Sequence, residues 1–161
     1  MKRIMIDLDV LTNALWKGEN MEVAKRFLES VTKEELEILT PAALIDLIFE
    51  WNDRKLAKSI LAFYSENSDI LSQRTILREF EKLGVDHGKV VEELKKVSGK
   101  EEDSFLVLVA SVFGLEIITF NKKQKQKDAP MCVSLLRGKK DEINRILRRF
   151  SLSEVKINEP I

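Results

Sequence analysis

The sequence predicts an α/β fold in three layers, with a central parallel sheet of four to five strands flanked by helices. Two observations carry that prediction. Short apolar runs of strand length alternate with longer stretches of helical period along the chain, the pattern of parallel strands joined by crossover helices. In addition, acidic or amide residues stand directly after several of the strand runs, which is where open sheets of this kind place their sites.

Taken in order, Ile4-Met5-Ile6 is a brief buried-strand run ended by Asp7. Helical patterns occupy 9–17 and 20–32, and 36–40 reads as a second strand. Pro41 suits a first helical turn, where its missing N–H costs nothing, and a long apolar helix runs on to 52. Helices follow at 54–66, 73–83 and 87–97, with 68–72 as a candidate short strand. Ser98-Gly99-Lys100 breaks the pattern. Glu101-Glu102-Asp103 opens another helix, its acids matching the positive end of the helix dipole, and Gly114 closes it. The segment 115–120 is the most strand-like in the chain, and a helix over 139–150 and a strand near 155–157 complete the reading.

The 161 residues suit one domain, 1–161. A composition of 44% hydrophobic and 34% charged residues excludes a disordered chain. Lys plus Arg and Asp plus Glu balance at 27 each, so overall charge does not mark a nucleic-acid binder. One cysteine, Cys132, excludes an internal disulfide and fits a reducing compartment. The three apolar residues between Arg3 and Asp7 are too few for a signal core, and no apolar run reaches the ~18 residues of a membrane span. A cytoplasmic protein with no membrane partner is the expectation.

The chemistry lies in the carboxylates. Asp7 ends the first strand and Asp9 follows two residues on; Asn121 follows 115–120; Asp103 opens the helix before that strand. Asp46 stands inside Ala42-Ala43-Leu44-Ile45-Asp46-Leu47-Ile48-Phe49, otherwise wholly apolar. A carboxylate on a buried helix is costly unless paired, hydrogen-bonded or metal-bound. Glu50, four residues on, could share its face. Each acid also has a bland reading: an ion-paired Asp46, a helix-capping Asp103, turn residues at Asp7 and Asp9. Together, however, acids converging on one cleft cannot all stay ionised without a cation, and Mg²⁺ or Mn²⁺ prefers oxygen ligands. No His or Cys set has zinc spacing, and the single histidine, His87, reads as a surface residue in a loop.

These segments resemble the PIN-domain family, whose members include VapC-type toxins. The resemblance spans nearly the whole chain. It rests on Ile6-Asp7-Leu8-Asp9-Val10-Leu11, on Thr40-Pro41-Ala42-Ala43-Leu44-Ile45-Asp46, on Asp103-Ser104-Phe105 leading through Ala110 to Phe113-Gly114-Leu115, on Ile117-Ile118-Thr119-Phe120-Asn121, and on Val155-Lys156-Ile157-Asn158-Glu159-Pro160. It implies a metal-dependent endoribonuclease with Asp7, Asp46 and Asp103 as metal ligands and Asn121 as the fourth catalytic position. Asp9, Glu50 and Thr119 would support them. The chain departs from the family pattern at Asp9, in place of Asn or Ser, and at Asn121, in place of the fourth acid. The segment 122–150 is longer than the family's usual link and reads as an inserted basic loop and helix. The resemblance also raises an antitoxin partner and a homodimer, for which Ile60, Leu61, Phe63, Tyr64, Ile76, Leu77 and Phe80 are either core or contact face.

From Lys122 to Arg149 ten Lys or Arg residues face three acids, a surplus of seven in a neutral chain. Lys122, Lys123, Lys125 and Lys127 directly follow Asn121. Beside an acidic metal site such a run would hold an RNA backbone; otherwise it is a solvated loop. Two rival readings stand. Ile4-Met5-Ile6-Asp7-Leu8-Asp9-Val10-Leu11-Thr12 resembles the first motif of haloacid-dehalogenase-like phosphatases, without their later glycine-bearing acidic motif. A PIN-like domain lacking the fourth acid could instead be an RNA-binding or assembly module.

Overall fold

Residues 2–15, 19–32, 35–120 and 137–161 are described here from a computed structural model. Five strands form one sheet: β1 (Lys2–Ile6), β2 (Leu36–Pro41), β3 (Asp69–Leu71), β4 (Glu116–Ile118) and β5 (Ile157–Asn158). Every pairing is parallel, and the order is β3-β2-β1-β4-β5. Eight helices accompany them: α1 (Leu8–Leu15), α2 (Met21–Val31), α3 (Ala42–Phe49), α4 (Arg54–Asn67), α5 (Gln73–Lys82), α6 (His87–Ser98), α7 (Glu101–Phe113) and α8 (Lys140–Arg149). The helices pack in two sets, α1 to α4 and α5 to α8. With crossovers of the usual right hand, the two sets fall on opposite faces, because the chain steps outward from β1 to β3 and then in the other direction to β4 and β5.

The predicted α/β fold with a parallel sheet is therefore the observed one. β1 is the central strand, and Ile4, Met5 and Ile6 are buried on both sides, as parallel strands under two helix layers must be. Tyr64 Oη, from α4, donates to Ile6 O at 2.7 Å and fixes the strand's end.

Several boundaries differ for local reasons. Pro41 is the N-cap of α3, with φ −62° and ψ 140°. It pairs with Leu71 in the sheet, so the helix begins only at Ala42. It ends at Phe49, not 52, because Trp51 turns into the core and Arg54 Nη1 donates to Phe49 O at 3.0 Å. β4 is shorter than 115–120: Leu115 N still bonds to Ala110 O, closing α7 behind Gly114, whose φ of +69° suits a residue without a side chain. His87 is exposed, as expected, but it opens α6 instead of lying in a loop, and its ring lies 5.6 Å from that of Phe80. Ile60, Tyr64, Ile76 and Phe80 are core residues; Leu61 and Phe63 are half-buried and Leu77 is exposed. Of the predicted basic insertion, the helix is α8, whereas 122–136 lie outside the described residues. Among the described residues no helix is long and apolar enough to cross a membrane.

Replacing Tyr64 by Phe removes the donor to the buried Ile6 carbonyl. A loss of about 1–2 kcal/mol in denaturant-derived stability is expected, with the sheet retained by circular dichroism. An unchanged midpoint would show that the hydrogen bond does not hold the strand end.

Candidate functional site

In the order β3-β2-β1-β4-β5 the chain reverses its direction of travel between β1 and β4. In open parallel sheets such a reversal marks the crevice at the carboxyl ends of the two strands, where sites form. Asp7 stands directly after β1, and its N–H donates to Ile118 O of β4 at 3.0 Å. Asp7 is 6% exposed and Asp9, one helical step into α1, is 1% exposed. Asp7 Oδ1 accepts from Leu8 N at 2.8 Å. Thr119 Oγ1, just past β4, lies 3.1 Å from Asp7 Oδ2 and 3.0 Å from Asp9 Oδ2. Asp9 Oδ2 also accepts from Phe120 N at 3.1 Å. The two acids and the threonine picked out in the sequence thus form one buried cluster.

Asp103, in the first turn of α7, stands close enough for the charge of Asp7 to act on it. Gly99, with φ +77°, ends α6 in the left-handed region and turns the chain sharply. The hydroxyls of Ser98 and Ser104, 2.7 Å apart, both lie within hydrogen-bond distance of Lys100 O and pin the turn. This aims the first turn of α7 at the crevice. Asp103 is half-buried, but its Oδ2 is shut off from solvent and has no hydrogen-bond partner. Burial, and then the charge of Asp7, push its carboxyl up to about 7 from an ordinary 3.8, against the pull of Lys100. Burial also raises the carboxyl of Asp7, while Thr119, the Leu8 N–H and Lys100 lower it. Two acids destabilise each other's ionised form here, a hallmark of functional sites though also found elsewhere.

Asp46 is where the structure corrects the sequence reading. It is exposed, not buried. Only Leu44 and Ile48 of α3 are fully buried. The rest of the apolar surround includes Ala43 and Leu47, which line a cavity of about 480 Å³ together with Leu44 and residues of α6 and α7. The helix is apolar because it walls a cavity, so no desolvation argument applies to Asp46. Glu50 is the exposed C-cap of the same helix. Among the described residues no three acidic, His or Cys side chains converge as a metal-holding group. Asn121, Lys122, Lys123, Lys125 and Lys127 lie outside the described residues.

Two contributors escaped the sequence reading. Lys100 looked like a pattern break, yet its charge acts on both Asp7 and Asp103. Tyr64 looked like core, and its hydroxyl bonds to the residue before Asp7. Neither had a sequence signal beyond its position. On α8, part of the basic surplus is engaged structurally: Arg148 pairs with Glu154, Arg149 with Glu93 at 3.4 Å, and Lys139 Nζ donates to Val97 O at 2.9 Å.

No family model matches the chain, and no curated protein matches it. Among solved structures, it is similar to a chain in the crystal structure of VapBC2 from Rickettsia felis bound to a DNA fragment from their promoter. The likeness covers 98% of each chain, with a TM-score of 0.54 and 13% sequence identity. At that identity it is a likeness of fold.

The raised carboxyl of Asp103 fixes a pH dependence. Below 3.8 the group is protonated in both folded and unfolded chains. Between 3.8 and about 7 the unfolded chain ionises first, so folding stability falls with rising pH and levels off above about 7. In metal-free buffer the wild-type melting temperature is expected to drop across that window, and Asp103→Asn to flatten part of the drop. A pH profile unaltered in the variant would remove Asp103 from the coupled pair.

Proposed function

We propose that this chain is a divalent-metal-dependent ribonuclease that hydrolyses RNA phosphodiester bonds at the carboxylates past β1 and β4. The observation that carries the reading is the meeting of Asp7 and Asp103, two acids from different elements, with Asp103 Oδ2 buried and unpartnered. A buried carboxylate oxygen without a donor is a ready position for a hard cation. Mg²⁺ is commonly held through one or two carboxylates with waters completing its shell, so Asp7 and Asp103 fit Mg²⁺ or Mn²⁺. Such an ion would activate a water and neutralise charge on the scissile phosphate.

The chain's own residues have separate tasks in this reading. Thr119 and the Leu8 N–H hold Asp7 in place. Asp9 anchors Thr119 and the Phe120 N–H, setting the path of the chain towards Asn121. Asp46, exposed on α3, is the proposed third acid, with Glu50 behind it. Lys122, Lys123, Lys125 and Lys127 would grip the RNA backbone next to the cut. The fold likeness to a VapBC2 chain supports the reading, as do the PIN-type motifs. With VapC-type toxins comes an antitoxin partner, a homodimer and a cytoplasmic setting. Asn121, a neutral group where the family has an acid, favours a second reading, an RNA-binding module without turnover.

Single-stranded RNA of mixed sequence should be cut in Mg²⁺ or Mn²⁺ by wild type. Asp7→Asn and Asp103→Asn should each lower the rate by about a hundredfold or more. Loss of cutting in EDTA and its return with metal complete the expectation. Metal-independent binding of RNA with no cutting by wild type would establish the second reading instead.

A further inference from the structure

We propose that the cavity between α3, α6 and α7 takes a guanine base of the RNA strand, so that the chain selects where it cuts. The inference rests on the ribonuclease reading for its substrate and goes beyond it in naming the base. The cavity, about 480 Å³, falls within the range of small-ligand sites. Its walls are apolar, with Leu44, Leu47, Val91 and Phe105 among them. Its polar groups are Gln73, His87, Glu101 and Glu102.

That lining decides what can enter. Among the described residues of the lining there are two carboxylates and no Lys or Arg, so a phosphate would be repelled. A flat neutral ring suits the apolar walls, and splayed RNA bases are held in this way, by stacking and by bonds to their Watson–Crick edges. The carboxylates require a ring edge that donates. Guanine presents N1–H and an N2 amino group side by side, a match for the two oxygens of one carboxylate. Adenine and cytosine place a ring acceptor beside their amino group, and uracil flanks its N–H with carbonyls, so each meets repulsion. Gln73 and His87 can donate to the guanine oxygen and N7. The ring of His87 is already backed by Phe80 at 5.6 Å.

The cavity is also placed to read the strand being cut. α3 and α7 each supply both a wall of it and an acid of the candidate site: Leu44 and Leu47 with Asp46, Phe105 with Asp103. Glu102 and Asp103 are consecutive, about 3.8 Å apart at Cα. A base in the cavity and a phosphate at Asp103 would therefore belong to one short stretch of strand.

The test uses the full chain in two measurements. By NMR titration without metal, guanosine is expected to bind, inosine about tenfold more weakly for want of the 2-amino group, and adenosine more weakly still. Glu101 and Glu102 are exposed, so the double variant Glu101→Gln/Glu102→Gln should fold and should lose at least tenfold in guanosine affinity. In the second measurement, cleavage sites mapped on a mixed RNA with Mg²⁺ should sit at a fixed offset from guanine. Equal binding of guanosine and adenosine would overturn the proposal, and so would cuts indifferent to guanine. Metal-dependent cutting without guanosine selectivity leaves the nuclease and removes the guanine site. Selective guanosine binding without cutting does the reverse.

Discussion

One hydroxyl holds this site together. Thr119 Oγ1 is within hydrogen-bond distance of both Asp7 and Asp9, yet it has a single hydrogen to give. All three residues are buried, so bulk water cannot make up the difference. Buried carboxylates keep their positions only when fixed donors replace their hydration. Among the described residues these are Thr119 and the backbone N–H groups of Leu8 and Phe120. They come from α1 and from the segment past β4, which ties the exits of the two strands at the sheet's reversal point to each other. Tyr64 holds the same strand end from α4. These bonds set the positions of the acids, and Lys100 offsets part of the cost of holding their charge there.

Asp103 enters this arrangement from far along the chain, which is why the α6–α7 turn matters. A helix brings an acid in its first turn to a fixed place only if its start is fixed. Gly99 permits the reversal, and Ser98 and Ser104 satisfy Lys100 O beneath it. Lys100, beside the turn, acts on both acids and offsets part of their repulsion. Among the described residues, the site thus combines acids destabilised by burial with the charge of Lys100 acting on both.

How much of this was legible in the sequence depends on what each signal measures. Strands β1 and β2 were legible because a parallel strand under two helix layers must be apolar on both faces, and a short apolar run ended by a polar residue reports that. Asp7 and Asp9 followed from their positions at a strand end, and Thr119 from the resemblance of the segment 117–121 to a PIN-type motif. Asp103 was legible only as the acid opening an apolar helix. Asp46 shows the limit. Periodicity counts apolar neighbours and cannot tell a core from the wall of a cavity, so a helix facing empty space read as a buried one. Lys100 and the cavity had no signal: the cavity arises where α3 meets α6 and α7, well beyond it in the chain, and Lys100 acts on Asp7 from farther along still. The stretch beginning at Asn121 is read from sequence alone.

The neutrality of the chain bears on how a nuclease of this kind would find its substrate. With 27 charges of each sign, long-range steering of a polyanion is weak, and attraction must be local. Part of the surplus in 122–149 is committed to the fold through Arg148, Arg149 and Lys139. What remains for phosphates is concentrated in the lysines that follow Phe120 in sequence. The lining of the cavity is acidic, with Glu101 and Glu102. On the proposed reading, an RNA strand held by those lysines would be kept from the cavity by its phosphates and admitted there only by a base. Weak general attraction joined to a selective base contact favours discrimination between sites over tight binding to all of them. In the proposed arrangement affinity for RNA and choice of cleavage position would be set by different residues.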